Sequence, residues 1–136
     1  MRLILKNTDY AMRALCFMAK DKEKIYSVAE LSQELEIPSP FLKKILQKLD
    51  EKKIITSHRG RSGGFKMALP PNRIFLVDLI KIFQGPINLN KCFIKQKICP
   101  DIRTCALRSI VAKIEDNVKQ ELESVTIESL LKQEGI

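Results

Sequence analysis

Apolar residues near the start of the chain recur every three or four positions, and Ala11, Ala14, Leu15 and Met18 predict a helix from Thr8 to about Lys20. Thr8 or Asp9 stands where its N-cap belongs. A second stripe, Val28, Leu31 and Leu35, begins at Ser27-Val28-Ala29-Glu30, whose hydroxyl and carboxylate have the capping-box spacing. The break Glu36-Ile37-Pro38 leads into a third helix, with Ser39 as N-cap and Pro40 at the first helical position, where a missing N–H costs nothing. Phe41, Leu42, Ile45, Leu46 and Leu49 form its expected buried stripe, leaving Lys43, Lys44, Gln47 and Lys48 on the other faces. Two helices joined by a tight turn, the second basic on its outer side, predict a helix-turn-helix.

The period changes after Lys53. Ile54-Ile55-Thr56-Ser57 reads as a β-branched strand, and Phe65, Met67 and Leu69 alternate with Lys66 and Ala68 as a second one, ended by Pro70-Pro71. The glycine-rich stretch His58-Arg59-Gly60-Arg61-Ser62-Gly63-Gly64 between them permits a hairpin turn, the wing of a winged helix. Val77 to Gln84 is an apolar helical segment stopped by Gly85-Pro86, and Ile87 to Thr104 has no clean period. From about Cys105, the residues Leu107, Ile110, Val111, Ile114, Val118, Leu122 and Val125 predict one long amphipathic helix. The small N-terminal core cannot cover that seam, which predicts packing against a second copy of the chain. The expected fold is mostly α with a small β-hairpin. It comprises a winged helix-turn-helix domain over 1–86, a cysteine-bearing loop over 87–105, and a dimerisation helix with C-terminal segment over 106–136.

Charge narrows the function. Lys and Arg outnumber Asp and Glu by 24 to 16, a formal net charge of +8 that favours an anionic partner. No apolar stretch approaches the roughly 20 residues that span a bilayer, and the start lacks the apolar region and cleavage site of a signal peptide. The expectation is a cytoplasmic protein with no membrane partner. A single histidine, His58, and the absence of HExxH, P-loop, GxSxG and GxGxxG patterns leave no enzyme constellation. A basic helix can enter a major groove while Arg59 and Arg61 of the wing reach a minor groove or phosphates. Lys43 and Lys44 are then expected near base edges or phosphates, Gln47 at adenine, and Ser39 with the helix N-terminus at a phosphate. Gly60 and Ser62 complete the wing tip. His58 is expected near phosphate or solvent.

Four cysteines in a chain expected to be cytoplasmic argue against a structural disulfide framework, because that compartment keeps thiols reduced. Cys16 falls inside the first helix and reads as core. Cys92, Cys99 and Cys105 stand at C-x6-C-x5-C, and three soft sulfur donors suit an iron-sulfur cluster or zinc. Lys91, Lys95, Lys97, Arg103 and Arg108 would lower the thiol pKa values and offset an anionic cluster. Three free thiols, or a redox-sensitive pair plus one, fit the spacing equally well.

Taken together, Met1-Arg2-Leu3, Thr8-Asp9-Tyr10-Ala11, the stretch Ile37 to Leu49, Arg59-Gly60, Gly63-Gly64-Phe65 and the three spaced cysteines resemble the IscR/NsrR family of iron-sulfur winged-helix transcriptional regulators. The resemblance covers nearly the whole chain. It implies a homodimer with crossing long helices, bound to a roughly palindromic double-stranded operator, and a 4Fe-4S or 2Fe-2S cluster at the base of the dimerisation helix. Members that sense cluster supply carry a histidine where this chain has Arg108. Members that sense nitric oxide use an aspartate near the start of helix 1, supplied by the other subunit, and Asp9 has a similar place. The implied metal ligands are Cys92, Cys99, Cys105 and Asp9. The gap between Cys92 and Cys99 is six residues where the family more often has five. The implied function is a DNA-binding repressor whose affinity is set by a cluster sensing nitric oxide, oxygen or redox poise, or iron status. The alternatives are a cluster-free thiol regulator and a metal-binding electron carrier or scaffold.

Overall fold

Helix α1 (Lys6–Met18) forms the centre of the core, because its small and aliphatic positions Ala11, Ala14, Leu15 and Met18 are all fully buried. The computed structural model describes residues 3–87 and 106–133. The helix starts two residues before the expected Thr8, and neither Thr8 nor Asp9 caps it: Leu5 occupies the N-cap with no side-chain bond. The cap comes instead from far along the chain. Gln84 accepts hydrogen bonds through Oε1 from the Leu5 N–H (2.8 Å) and the buried Thr8 hydroxyl (2.6 Å), while its Nε2 donates to the Leu3 carbonyl (3.0 Å). A partner so distant in sequence is invisible to local capping rules, which is why Thr8 reads as a cap and is in fact turned inward.

Helix α2 (Val28–Leu35) has the expected Ser27 cap, whose Oγ accepts from the Glu30 N–H at 3.1 Å. The carboxylate half of the box is spent elsewhere, on the Lys24 ammonium at 2.6 Å, which raises the Lys24 pKa. Glu36 ends α2 in the left-handed region (φ 56°), and Ser32 ties the turn by donating to the Ile37 carbonyl. Helix α3 (Ser39–Glu51) follows at once, so the helix-turn-helix is present. Its boundary differs by one residue: Pro38 is the N-cap and Ser39, the expected cap, is the first helical residue without a capping bond. Leu42, Ile45, Leu46 and Leu49 are buried as expected, but Phe41 is 54% exposed and leaves the stripe.

Strands β1 (Ile55–His58) and β2 (Gly64–Met67) pair antiparallel, with Ile55 opposite Met67 and His58 opposite Gly64. The second strand is shorter than expected and stops before Leu69. A further pairing widens the ribbon: Tyr26 and Phe65 exchange both backbone hydrogen bonds at 2.8 Å. That approach requires Gly64, since a Cβ there would collide with the Tyr26 carbonyl. The Asp50 carboxylate accepts from the Ser57 N–H at 3.2 Å and so anchors the wing to α3.

After a short 3-10 turn (Pro71–Arg73), α4 (Leu76–Gln84) ends at Gly85 with φ 81°, matching the expected stop. The long C-terminal helix is divided. Helix α5 (Ala106–Glu123) stops short of Val125, which was expected within the seam. The segment 124–127 instead pairs with the start of α4, the Leu76 N–H donating to the Val125 carbonyl (2.9 Å) and the Ile127 N–H to the Ile74 carbonyl (3.0 Å). Thr126 and Ser129 then cap each other's N–H groups and start α6 (Ile127–Gln133), which places Ile127 fully buried in the core with α1. No residue of α5 is fully buried, and Leu107, Ile110 and Ile114 are 68%, 56% and 49% exposed. Among the described residues, no helix is long and apolar enough to cross a membrane.

Replacing Gly64 with alanine is expected to force the wing away from Tyr26 and to cost about 1–3 kcal/mol. Urea denaturation checks this; a midpoint equal to that of the unaltered protein would contradict the close approach.

Candidate nucleic-acid interface

The orientation of α3 follows from its apolar stripe. With Leu42, Ile45, Leu46 and Leu49 buried, the opposite side is necessarily turned outward and exposes Lys43, Lys44, Gln47 and Lys48, while Ser39 is exposed at the start of the helix. Two flanks can be told apart. Lys43 lies seven residues before Asp50, hence on the same side two turns away, and Asp50 is bonded to β1. Lys43 therefore flanks the wing. Phe41 and Lys48, also seven apart, take the other flank, where Lys6 of α1 reaches the Phe41 ring.

In the wing tip, Arg59, Gly60, Arg61 and Ser62 are exposed. Gly60 adopts φ 117°, a conformation that side chains strain, and its carbonyl accepts from the Gly63 N–H at 3.0 Å to close the turn. Gly63 is held at the same point, since a Cβ there would approach the His58 carbonyl to 2.6 Å. His58 shares a 3.3 Å hydrogen bond with the Thr56 hydroxyl at the exposed strand end.

Charge is distributed unevenly over these elements. Lys24 and Lys66 beside the wing are paired with Glu30 and Glu23, and Arg13, Lys119 and Lys132 with acids on their own helices. Among the described residues, Lys43, Lys44 and Lys48 of α3 and Arg59 and Arg61 of the wing have no acidic partner; Glu51 is the exposed acid at the end of α3. Cations left unpaired on the outer face of α3 and the adjoining loop form a surface suited to phosphates.

The expected metal ligands are divided by what the structure describes. Cys92, Cys99 and Cys105 lie outside the described residues, Cys105 directly preceding the first residue of α5 in sequence. Among the described residues no cluster of three metal-ligating side chains occurs. Asp9 sits in the first turn of α1, with its side chain about one-third exposed and paired to Arg13 at 3.0 Å. Cys16 is buried, as its helical position predicts. The structure departs from the sequence reading at Phe41, which was expected in the core and is exposed, with the Lys6 ammonium over its ring. The excess of five apolar residues on α3 over the four its stripe can hide was the available signal.

Comparison with known proteins places this arrangement. The model of the Rrf2 family, described as an iron-dependent transcriptional regulator, matches residues 4–133. Protein aau3 of Rhizobium meliloti is 32% identical over 130 residues, covering 95% of this chain and 84% of that protein. The HTH-type transcriptional regulator NsrR of Oceanobacillus iheyensis is 30% identical over 131 residues, covering 95% and 89%. Among solved structures, CymR, the global cysteine regulator of B. subtilis, superposes with TM-score 0.82 at 25% identity, over 98% of each chain. IscR of T. potens shares the fold with TM-score 0.76 at 20% identity, over 97% of this chain and 88% of that one. The chain belongs to the Rrf2 family of winged-helix transcriptional regulators, and is a DNA-binding protein rather than an enzyme.

Proposed function

We propose that this regulator grips its operator through α3 and the wing as a homodimer, and that an iron-sulfur cluster held by Cys92, Cys99 and Cys105, with Asp9 as fourth ligand, sets its affinity. The observation that carries the DNA half is the ridge of exposed cations without acidic partners on α3 and the wing. Lys44 and Gln47 point directly away from the buried stripe, where a major groove would receive them, and Lys43 flanks them on the wing side. Ser39 and the first-turn N–H groups of α3 bind a phosphate. Arg59 and Arg61 reach phosphates or a minor groove, with Gly60 and Ser62 shaping the tip.

The dimer reading rests on α5. Leu107, Ile110 and Ile114, three and four residues apart, form an exposed apolar row. Beside it a shallow groove of about 310 Å³ is lined by Leu3, Ile114, Val118 and Leu122. A helix in water covers such a row with another apolar surface, and a twofold partner supplies one of identical pattern. Two α3 helices related by that axis favour a roughly palindromic site.

The donor set suits a cluster: three thiolates and a carboxylate are ligands that iron accepts, and the family is described as iron-dependent. When bound, such a cluster supplies a redox- and nitric oxide-sensitive centre whose charge and ligation change with the signal. Asp9 is suited to its role because the Arg13 pair that engages it is exposed and weak. Cluster state then shifts the spacing of the two α3 helices, and coupling of this kind changes DNA affinity about 5–150-fold. A second reading, a cluster-free thiol regulator, is favoured by the likeness to CymR, a global cysteine regulator.

Charge reversal at Lys44 or Arg59 is expected to weaken duplex binding and to reduce the slope of log affinity against log salt by about 0.9 for each phosphate that is no longer neutralised. Unchanged affinity and slope for both variants, read by fluorescence anisotropy, would remove the interface.

Protein isolated anaerobically is expected to contain iron and acid-labile sulfide with visible absorption, and Cys105→Ser to lose them. A colourless protein after reconstitution with iron and sulfide decides for the thiol reading. Asp9→Ala is expected to leave the fold intact and to alter the holo-protein's absorption or make its cluster labile. An unaltered, equally durable spectrum strikes Asp9 from the ligands.

A further inference from the structure

Phe41 breaks the pattern of α3. Its neighbours in the apolar stripe are buried, yet its ring is 54% exposed in the first turn of the helix that presents Lys44 and Gln47. An exposed aromatic ring in that place costs solubility and gains nothing for the core. The ring also has a charged companion. The Lys6 ammonium lies 5.8 Å from the centre of the Phe41 ring and 5.5 Å from that of Tyr10, so one cation is held between an aromatic on α1 and one on α3. Lys6 is exposed and has no acidic partner among the described residues. The aromatic pair pre-positions a side chain that would otherwise sample many rotamers, and it does so on the side of α3 opposite the wing.

We propose that Lys6 and Phe41 form a further DNA-binding point, resting on the interface described above: Lys6 pairs with a backbone phosphate flanking the groove, and Phe41 packs on the 5-methyl group of a thymine. The assignment of Phe41 follows from what a major groove offers. Its base edges present donors and acceptors, and the thymine methyl is the apolar group among them. A ring on the flank of α3 meets that methyl at the groove wall, where the adjacent backbone places a phosphate within reach of Lys6. The wing grips one side of α3 and this pair grips the other, so the helix is held at both edges. Phe41 is a specificity determinant for thymine against cytosine or a methyl-free pyrimidine, and Lys6 an anchor without sequence preference.

The test uses full-length protein isolated anaerobically, and duplexes enriched by the unaltered protein from a random-sequence pool. Replacing each half-site thymine in turn with deoxyuridine, which lacks only the methyl, is expected to weaken binding about fourfold at one position. Phe41→Ala abolishes that difference and Phe41→Leu, which keeps an apolar side chain, retains it. Lys6→Gln weakens all duplexes alike and lowers the salt slope by about 0.9 for each phosphate released. The proposal falls if Phe41→Ala discriminates thymine from deoxyuridine as the unaltered protein does, or if Lys6→Gln leaves affinity and slope unchanged. Should that happen while Lys44→Ala still weakens binding, the α3 interface stands without this pair. Failure of the unaltered protein to enrich any duplex removes both together.

Discussion

Burial of Leu42, Ile45, Leu46 and Leu49 against α1 is the constraint from which the exposed face of α3 follows. Each of these side chains contributes about 1.5–3 kcal/mol on leaving water, so no rotation of the helix that exposes them competes with the one observed. The outward direction of Lys44 and Gln47 is thus set by the residues that point the other way. Everything else in the N-terminal part refines that placement: Ser32 closes the turn, Asp50 ties β1 to α3, and Gln84 fastens the start of α1 to the end of α4.

Some of the described cations are held by acids and others are not. Lys24, Lys66, Lys119 and Lys132 meet acids and help fix local geometry to the small extent that exposed ion pairs do. On α3 and the wing, the cations face solvent together, and their mutual repulsion is a modest cost that an approaching polyanion reverses. The result is a surface more stable when occupied, which is the electrostatic requirement for reading a duplex.

The parts of the fold set by local chemistry were readable in the sequence. The Ser27 cap, the Pro38 break, the glycine hairpin and the Gly85 stop each state a backbone requirement within a few residues, and each was found where expected. What escaped depended on distant partners. Thr8 looks like a cap until Gln84 is seen bonded to it, and Tyr26 gives no strand pattern because its partner Phe65 lies across the domain. The division of α5 from α6 had a local sign, the Thr126 and Ser129 pair, hidden by an apolar period that continues through Val125. The exposed residues of α3 proposed to face DNA were legible as exposed because a helix with one buried face has a determined outer one. The proposed cluster ligands Cys92, Cys99 and Cys105 rest on sequence spacing and kinship, since they fall outside the described residues.

Backbone amide hydrogen exchange of the protein with and without an enriched duplex tests the central claim most directly, because it maps the gripped surface without altering any residue. Slowed exchange concentrated in the first turns of α3 and in the wing tip between His58 and Gly63, with α2 and α6 unaffected, is the result predicted. Slowing confined to α6, with α3 and the wing exchanging as in the free protein, would contradict it.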